Sequence, residues 1–395
     1  MNKKVAIIIE RTNIDLGGAE RSIFELKNQL CAQGIDVSIL AAEGEKTSEH
    51  IKILCQNNKC QRTKYNTFAK ALKNHLKTNS YDIIHSVLPF DFVDIYQPRG
   101  GSYAESIQQN AVSYQNNFIT ACKKLTSLLN CRRTAMLNAE RRLCKKNNGP
   151  IVAALSRYVA DQFKKHYKLP LNRIAIISNG VKINKEFDRE ESEKLRAIIL
   201  HKLNLKEADN PALLLFAANN FRLKGLNPLL IALQKTQKTK TQRLPYLVIV
   251  GNGKPKKYQT LAKKLGIQNR IIFLGAIKNI QNALAITDIA VLPTFYDPAS
   301  RFILEALAAG KPVITTKLNG ATDMFKQDVH GKVIDCPQNT DSLAEAIIYF
   351  SNTANIEKTT NAIINDNLKQ NISIERVATE LISLYETIIE KRRQL

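Results

Sequence analysis

Two acidic residues flank the predicted start of a helix in FYDPASRFILEALAAGKPVITT, residues 295–316. Asp297 follows an apolar, strand-like run, and Glu305 comes about one turn into the helix that starts near Ser300. The backbone N–H groups of a first helical turn have no partner inside the helix, so they can bind a diphosphate. Glu305 could accept hydrogen bonds from the two hydroxyls of a ribose, and Asp297 from those of a hexose. The spacing therefore suits a nucleotide sugar.

Each of the two acids also has an ordinary structural explanation. Glu305 is an acid that the positive end of the helix dipole favours. Asp297 is a turn former that precedes Pro298. Neither residue alone therefore shows whether the segment binds a nucleotide sugar or only forms a turn and a helix start.

Two cations lie in NNFRLKG, residues 219–225, directly after the apolar run ALLLFAA. Arg222 offers a bidentate fork and Lys224 a point charge, so both could bind one phosphate group. Two solvated cations on a loop are the ordinary alternative. The position after a strand, with Gly225 directly behind, favours phosphate binding.

Glycines follow several predicted strands and could let a ligand approach the backbone. Gly17 and Gly18 precede the first helix, whose N-terminus attracts phosphate. Gly251 opens the loop GNGK, and Gly275 lies in FLGA, where a flat base could stack and bond to the backbone. Each of these positions is also compatible with a plain turn.

Predicted strands and helices alternate along the whole chain. The first half opens with a strand, a helix and a strand, and the second half repeats this order from Pro211 onward. The order predicts an α/β protein with two Rossmann-like, doubly wound parallel sheets. We expect a first domain over residues 1–180, a second over 181–371 and a terminal amphipathic helix over 372–395. Such sheets bind ligands at the carboxyl ends of their strands, and two facing sheets would form a cleft.

The composition indicates a soluble protein with an anionic partner. The formal net charge is +23, and no apolar run is long enough to span a membrane. The N-terminal apolar run meets Glu10 and Arg11 too soon for a signal peptide. Seven cysteines and six histidines show no metal-ligand spacing, so we expect no metal and a reducing, cytoplasmic setting.

A basic helical region is predicted over residues 103–146. From Lys123 to Lys146 it carries eight basic residues against one acid, Glu140, with apolar residues between them. Interfacial helices combine these features, so the region could bind an anionic membrane surface. A half-buried domain helix with a solvated basic face is an equal alternative.

The chain resembles a GT-B glycosyltransferase of the retaining family 4 type. The matching segments follow the family's order over nearly the whole chain: LGGAERS (16–22), ALSRYVADQF (154–163), SNGV (178–181), FRLKG (221–225) and the two acids with LEALAAGKPVITT (304–316). The last segment and DIYQPRGGSYAES (94–106) resemble the branch of bacterial lipopolysaccharide core glucosyltransferases.

The resemblance implies a role for each matched residue. Arg222 and Lys224 would hold the donor diphosphate, and Asp297 would contact the donor sugar; these three are the expected catalytic residues. Glu305 would bind the ribose. The remaining donor-binding residues would be Gly17, Gly18, Gly251, Gly275 and, through their backbone, Ser300, Arg301, Phe302 and Ile303. The terminal helix would cross back onto the first domain.

The chain departs from the family pattern at two places. The first acid is usually Glu, and Asp297 is one methylene shorter. Many relatives carry a histidine after the fourth strand, where this chain has YQPRGGSY with Arg99 or Gly100 near that position. Arg99 and Tyr103 are therefore candidates for acceptor binding, and His85 is interpreted as a residue of the cleft wall.

The expected activity is a metal-independent, retaining transfer of a hexose from a nucleotide-diphosphate sugar, with UDP as the expected nucleotide and no other cofactor. The acceptor would be a membrane-linked glycolipid such as lipopolysaccharide core, met at the inner face of the cytoplasmic membrane. One alternative is a nucleotide-sugar epimerase of the same fold. Another is a basic protein that binds nucleic acid or an anionic surface, although no nucleic-acid-binding motif is present.

Overall fold

The structure is a computed structural model and describes residues 3–13, 18–44, 50–55, 62–183 and 186–394. The chain forms two compact units. The first unit contains the described residues up to Ala111, then Asn116–Gly180 and the residues from Ile374 onward. The second unit contains Val112–Gln115 and the described part of Val181–Ser373.

The first unit is built on a parallel sheet of seven strands in the order β3-β2-β1-β4-β5-β6-β7. The strands are β1 (Lys4–Arg11), β2 (Asp36–Glu43), β3 (Ile51–Ile53), β4 (Ile83–Ser86), β5 (Ile95–Tyr96), β6 (Ile151–Ala154) and β7 (Ile174–Ile176). The side chains of Val5–Ile9 in β1 are at most 3% exposed. Helices cover both faces of such a sheet, which is why this strand reads as a continuous apolar run.

Six α-helices accompany this sheet among the residues described before β7: α1 (Gly18–Ala32), α2 (Tyr65–Thr78), α3 (Tyr103–Val112), α4 (Asn117–Leu128), α5 (Cys131–Lys145) and α6 (Arg157–Tyr167). The basic region 103–146 is thus three helices. Asn116 and Asn130 are the N-caps of α4 and α5. Their side chains accept hydrogen bonds from the backbone N–H groups of Ile119 and Arg133.

The second unit is built on a parallel sheet of six strands in the order β10-β9-β8-β11-β12-β13. The strands are β8 (Ala212–Ala217), β9 (Pro245–Val250), β10 (Ile271–Gly275), β11 (Ile289–Leu292), β12 (Val313–Thr316) and β13 (Gly331–Ile334). The direction of strand succession reverses between β8 and β11, which are neighbours in the sheet. Ligands of open α/β sheets bind at such a switch point.

The described residues of the second unit form eight α-helices: α7 (Arg189–Lys202), α8 (Leu226–Lys235), α9 (Lys256–Lys264), α10 (Ile280–Ile286), α11 (Arg301–Ala308), α12 (Thr340–Tyr349), α13 (Thr353–Asn365) and α14 (Leu368–Asn371). The sequence predicted that α11 starts near Ser300, and in the structure Ser300 is its N-cap. Strands β3 and β13 were not predicted.

The last helix, α15 (Ile374–Arg393), packs on α1 and belongs to the first unit. Its buried face carries Val377, Leu381 and Tyr385, which join the core beside β1. The Arg376 guanidinium donates to the Ser178 carbonyl oxygen at 2.7 Å. The helix therefore completes the core of the first unit, although it comes last in the chain.

Within the ranges that the structure describes, we find no helix that combines the length and the apolar character needed to cross a membrane.

Candidate active site

The loops after β8 and β11 lie side by side at the carboxyl edge of the second unit's sheet. The Phe295 amide donates to the Leu223 carbonyl oxygen at 2.9 Å, and the Thr294 hydroxyl donates to the same oxygen at 3.2 Å. This contact follows from the pairing of the two strands. It brings the segment with Arg222 and Lys224 to the segment with Asp297.

A glycine is required where these two loops cross. Gly225 has φ +80°, and a Cβ atom at this position would lie 1.8 Å from the Pro293 carbonyl oxygen. Only glycine combines this left-handed backbone with so close an approach. The glycine that the sequence analysis noted behind Lys224 therefore sets the spacing of the loops.

Lys224 and Asp297 form an ion pair. The Lys224 ammonium lies 2.6 Å from Asp297 Oδ2 and donates to the Tyr296 carbonyl oxygen at 3.0 Å. The side chains are 21% and 13% exposed, so the pair is largely removed from water. The resemblance implied that Lys224 would bind phosphate and that Asp297 would contact the sugar. In the structure the two charged groups contact each other.

Asp297 is fixed by its backbone as well as by its carboxylate. Its amide donates to the Leu318 carbonyl oxygen at 2.9 Å, and its own carbonyl oxygen accepts from the Gly320 amide at 2.9 Å. Asp297 Oδ1 accepts from the Ala299 amide at 3.3 Å. The carboxylate thus stands on a loop that is tied to the segment after β12.

The N-terminus of α11 follows this loop and is organised by Asn319. The Asn319 side-chain oxygen accepts from the Ser300 amide at 3.1 Å, and its side-chain nitrogen donates to the Thr315 hydroxyl at 2.9 Å. Ser300 caps the helix by accepting from the Ile303 amide at 3.4 Å. The amides of Ser300 and Ile303 therefore have protein partners in this structure, although the resemblance implied that both would bind the donor.

Sequence reasoning missed Asn319, which is fully buried. The only signal in the sequence was an Asn-Gly pair that follows β12. Such a pair ordinarily indicates a turn.

Glu305 lies in the middle of α11, about one turn after its start. Its Oε1 lies 3.4 Å from the Arg301 guanidinium, and the two side chains are 11% and 14% exposed. Phe302 and Ile303 point into the hydrophobic core of the second unit. Of the residues predicted on this helix, Arg301 and Glu305 thus carry paired polar groups. Phe302 and Ile303 instead pack the helix against the core.

Arg222 has partners that differ from those of Lys224. Its guanidinium carbon lies 3.8 Å from the ring centroid of Tyr114, and the guanidinium donates to the Ser113 hydroxyl. Both partners belong to Val112–Gln115, which is part of the second unit. Burial lowers the pKa of Arg222 from the ordinary high value of a guanidinium. The aromatic face therefore holds a charged guanidinium in one orientation.

Two of the predicted glycines, Gly251 after β9 and Gly275 at the end of β10, contact each other through their backbones. Gly251 has φ +131°, and a Cβ there would lie 1.8 Å from the Ala218 carbonyl oxygen. Its amide donates to the Gly275 carbonyl oxygen at 2.8 Å. Gly275 has φ +74°, with open space where a Cβ would stand. Gly251 is thus explained by packing against the loop after β8.

The predicted residues of the first unit lie at several places. Gly18 starts α1, and Gly17 lies outside the described residues. The Arg99 guanidinium donates to the hydroxyl of Ser22, to Gln97 Oε1 at 3.2 Å and to Asn179 Oδ1 at 3.3 Å. These contacts join the segments after β5 and β7 to α1.

Tyr103 starts α3, where its amide donates to the Glu140 carboxylate at 2.8 Å. Its ring packs against a cluster of buried apolar residues that includes Phe68 and Phe90. Burial, followed by the nearby Glu140 charge, raises the pKa of Tyr103. The side chain thus contributes to the core of the first unit.

His85 is a buried residue, which corrects its interpretation as part of a cleft wall. It is fully shielded from solvent, and its Nδ1 lies 2.8 Å from the Tyr385 hydroxyl of α15. Burial, followed by the charge of Arg99, lowers the pKa of His85 to about 3. The ring is therefore neutral at physiological pH and has a structural role.

The part of the chain that the structure describes contains no group of three or more His, Cys, Asp or Glu side chains that could hold a metal ion. The positive charge near Asp297 comes from the protein's own side chains.

Two family models match most of the chain. Residues 16–185 match Glycosyltransferase Family 4, and residues 200–369 match Glycosyl transferases group 1. Over 337 residues the chain is 25% identical to the lipopolysaccharide glucosyltransferase WaaG of Escherichia coli (strain K12), covering 84% of this chain and 85% of WaaG. Over 170 residues it is 24% identical to the lipopolysaccharide core biosynthesis glycosyltransferase LpsD of Rhizobium meliloti (strain 1021), covering 43% of this chain and 48% of LpsD.

Solved glycosyltransferase structures share the fold. The crystal structure of WaaG matches with a TM-score of 0.72 and 22% identity, covering 96% of this chain and 99% of WaaG. Anabaena Alr3699/HepE in complex with UDP and glucose matches with a TM-score of 0.68 and 17% identity, covering 98% and 100%. The predicted fold class, two Rossmann-like parallel-sheet domains of the GT-B type, is confirmed.

Proposed function

We propose that the chain, which belongs to the family 4 and group 1 glycosyltransferases, transfers a hexose from a UDP-linked donor to a cell-envelope glycan. The transfer would retain the configuration of the anomeric carbon. The observation that carries this proposal is the Lys224–Asp297 pair at the switch point of the sheet, in the loop that leads into α11, with Glu305 about one turn into that helix. This order of groups matches the sugar, diphosphate and ribose of one donor molecule.

The two cations would neutralise the charge of the departing diphosphate. Lys224 would move from Asp297 to a phosphate oxygen, which releases the Asp297 carboxylate to accept hydrogen bonds from the sugar hydroxyls. Arg222, held by the Tyr114 ring, would supply the second charge. Fixed cations that face a developing negative charge lower the barrier, so this arrangement could work without a metal.

In the proposed step, the bond between the anomeric carbon and the diphosphate oxygen breaks with its electron pair on the diphosphate. The acceptor oxygen forms a bond to the same carbon on the same face. The proton of the acceptor hydroxyl passes to the departing diphosphate, so the reaction needs no carboxylate nucleophile from the protein. Glu305 would hold the ribose hydroxyls throughout.

The names of the relatives support the choice of donor and acceptor. WaaG is a lipopolysaccharide glucosyltransferase, and LpsD is a lipopolysaccharide core biosynthesis glycosyltransferase. The HepE structures contain UDP, glucose or UDP-glucose. We therefore propose lipopolysaccharide core, or a similar glycolipid, as the acceptor.

The helix α4 is the proposed contact with the membrane that carries this acceptor. Phe118 and Leu125 of α4 and Leu129, which follows the helix directly, are 78%, 69% and 79% exposed, and their spacing along the chain places them on one side of the helix. The helix carries Lys123 and Lys124 and no acidic residue. Exposed apolar residues beside lysines suit the headgroup region of an anionic membrane. We place the protein at the cytoplasmic face.

The test of the donor is a panel of nucleotide sugars, measured by thermal shift and by slow hydrolysis. A donor that binds only the folded protein raises the unfolding midpoint. We expect a UDP-hexose to stabilise the wild type and Glu357→Ala, an exposed acid of α13, but not Glu305→Ala. Stabilisation that persists in Glu305→Ala would contradict the ribose assignment. Conversion of the nucleotide sugar to its epimer without an acceptor, with no release of the nucleotide diphosphate, would favour an epimerase.

A further inference from the structure

The segment Val112–Gln115 ends α3 and leads to α4, and we call it the α3–α4 turn. It belongs to the second unit, although the residues on both sides of it belong to the first. The Gln115 amide donates to the Val112 carbonyl oxygen at 2.9 Å, and Gln115 has φ +57°. A left-handed backbone is uncommon at a residue other than glycine and persists only where the surrounding contacts hold it. The contacts of the turn must therefore maintain its conformation.

The α3–α4 turn contacts Arg222 through two side chains. Ser113, which is 1% exposed, accepts a hydrogen bond from the guanidinium, although it lies 109 residues earlier in the chain. The centroid of the Tyr114 ring lies 3.8 Å from the guanidinium carbon. A guanidinium at this distance stacks on the ring, whereas it binds phosphate through the N–H groups at its edge. Tyr114 can therefore hold Arg222 in place while Arg222 binds the donor diphosphate.

The same turn is tied to the start of α4. Asn116, the N-cap of α4, directly follows Gln115. The Thr120 hydroxyl donates to the Ala111 carbonyl oxygen, on the other side of the turn, at 3.1 Å. The first residues of α4 are thus connected to both ends of the turn. A displacement of the start of α4 is therefore transmitted to the residues that contact Arg222.

The remainder of α4 has little buried surface. Among the residues of α4 whose exposure is described, Ser127 alone is buried, and Phe118 and Leu125 are 78% and 69% exposed. Elements with so few buried contacts open locally at a small cost in free energy. A membrane that takes up Phe118 and Leu125 would stabilise this helix and, through its start, the turn that rests on Arg222.

We propose, on the basis of the donor site and the membrane contact proposed above, that the α3–α4 turn couples them: an anionic membrane bound at α4 and UDP bound at Arg222 strengthen each other's binding. The turn has two states, docked on Arg222 or released from it, and Ser113 and Tyr114 are positioning residues in the docked state. UDP favours this state because Arg222 is then oriented for the diphosphate. The membrane favours it because α4 is then ordered. Two ligands that favour one state must raise each other's affinity by the same factor.

The test measures both directions of this coupling with the full chain at constant ionic strength. Calorimetry gives the affinity for UDP with and without vesicles that contain phosphatidylglycerol, and sedimentation gives the affinity for these vesicles with and without UDP. In the wild type we expect both affinities to rise by the same factor, about fivefold or more. Tyr114→Leu should bind UDP more weakly and should lose the coupling, but it should still bind the vesicles through α4.

Two further variants separate the aromatic contact from general effects on folding. Tyr114→Phe keeps the aromatic face, so it should retain both the affinity for UDP and the coupling. Tyr349→Leu is the matched control, because the Tyr349 ring centroid lies 4.3 Å from the Lys332 ammonium in the same unit. This variant removes a contact of the same kind from α12 and should leave the coupling unchanged.

Independent binding of UDP and vesicles to the wild type would overturn the coupling and leave the donor site and the membrane contact intact. Coupling of full strength in Tyr114→Leu would show that the α3–α4 turn is not the connection. Wild-type protein that binds no UDP, or no anionic vesicles, would overturn the coupling together with the corresponding part of the proposed function.

Discussion

The Lys224 ammonium lies 2.6 Å from the Asp297 carboxylate, so the cation expected to hold the donor diphosphate is already paired with the acid expected to hold the sugar. The two residues stand on separate loops that meet because β8 and β11 are neighbours. In the proposed mechanism the donor breaks this ion pair. Lys224 then binds a phosphate oxygen, and Asp297 accepts hydrogen bonds from the sugar hydroxyls. A substitution of either residue therefore changes the contacts that are open to the other.

The first prediction concerns the exchange of this ion pair. Asp297→Asn should reduce kcat at least tenfold, because the sugar loses a charged acceptor. The same variant should bind UDP as tightly as the wild type or more tightly, because Lys224 no longer has a competing carboxylate. Lys224→Gln should weaken UDP binding at least tenfold, which corresponds to about 1.4 kcal/mol. Calorimetry with UDP and a turnover assay measure the two effects.

Asp297→Glu serves as the control, because it keeps the charge and restores the acid that the family usually carries. It should retain more turnover than Asp297→Asn. Unaltered turnover in Asp297→Asn would exclude a role for the charge. UDP binding weakened equally in Asp297→Asn and Lys224→Gln would show that the pair acts as a structural unit.

The second prediction tests the crossing of the two loops. In Gly225→Ala the new Cβ would lie 1.8 Å from the Pro293 carbonyl oxygen at φ +80°. Backbone strain and overpacking together should lower the free energy of unfolding by about 3 kcal/mol. Gly266→Ala is the control, because Gly266 has φ +68° but nothing within 4 Å of a Cβ. It should lose only about 1 kcal/mol. Equal losses by urea denaturation would contradict the steric argument.

The alternation of strands and helices was predictable from the sequence, because buried parallel strands read as apolar runs between amphipathic helices. The placement of Arg222, Lys224 and Asp297 in loops after strands followed from this alternation. The ion pair did not, because local patterns do not state which strands are neighbours. The contact of Arg222 with Tyr114 joins distant parts of the chain for the same reason.

Features that lack a strong local pattern could not be predicted from the sequence. Strands β3 (IKI) and β13 (GKVI) each contain a lysine, so neither reads as the continuous apolar run by which the other strands were predicted. The burial of His85 depends on Tyr385, which comes 300 residues later in the chain. Asn319 organises the start of α11 through its side chain, and the sequence showed only a turn. These positions are determined by tertiary packing.

The third prediction concerns Glu140, the acid of the basic region. Its carboxylate accepts hydrogen bonds from the Tyr96 hydroxyl at 2.8 Å, the Tyr167 hydroxyl at 2.5 Å and the Tyr103 amide at 2.8 Å. Burial raises the pKa of Glu140 to about 7, although these hydrogen bonds oppose the rise. The folded protein thus binds this proton more tightly than the unfolded chain. The free energy of unfolding should therefore fall as the pH rises from about 4.5 towards about 7.

Glu140→Gln cannot titrate, so it should remove this slope. Relative to the wild type, it should gain up to about 3 kcal/mol between pH 5 and pH 8. Urea unfolding at four pH values between these limits measures the difference. A constant difference would mean that Glu140 stays ionised over this range.

Glu105 provides the opposite control for this experiment. Burial alone would raise the pKa of Glu105, but hydrogen bonds from Gln109, His166 and Lys165 hold it below its ordinary value. This group stabilises the protein at neutral pH, and its contribution is lost as the pH falls below about 4.5. Glu105→Gln should therefore be destabilising at pH 7, and the difference should shrink in acid.

The fourth prediction tests the exposed face of α4. Phe118→Ser/Leu125→Ser/Leu129→Ser should reduce partitioning onto vesicles that contain anionic lipid at least tenfold, because three large apolar side chains no longer enter the headgroup region. Sedimentation with anionic and with neutral vesicles measures both contributions. Since Lys123 and Lys124 remain, the residual binding should favour anionic lipid and weaken with salt.

A matched pair of single variants separates a membrane contact from general hydrophobicity. Leu129 and Leu171 are 79% and 70% exposed, and both belong to the first unit. Leu129→Ser should weaken vesicle binding, and Leu171→Ser should leave it unchanged, because only the former removes a side chain from the basic, apolar helix. Equal effects of the two substitutions, or wild-type protein that does not distinguish anionic from neutral vesicles, would show that α4 is not the membrane contact. The protein would then have to reach a membrane-linked acceptor through another surface.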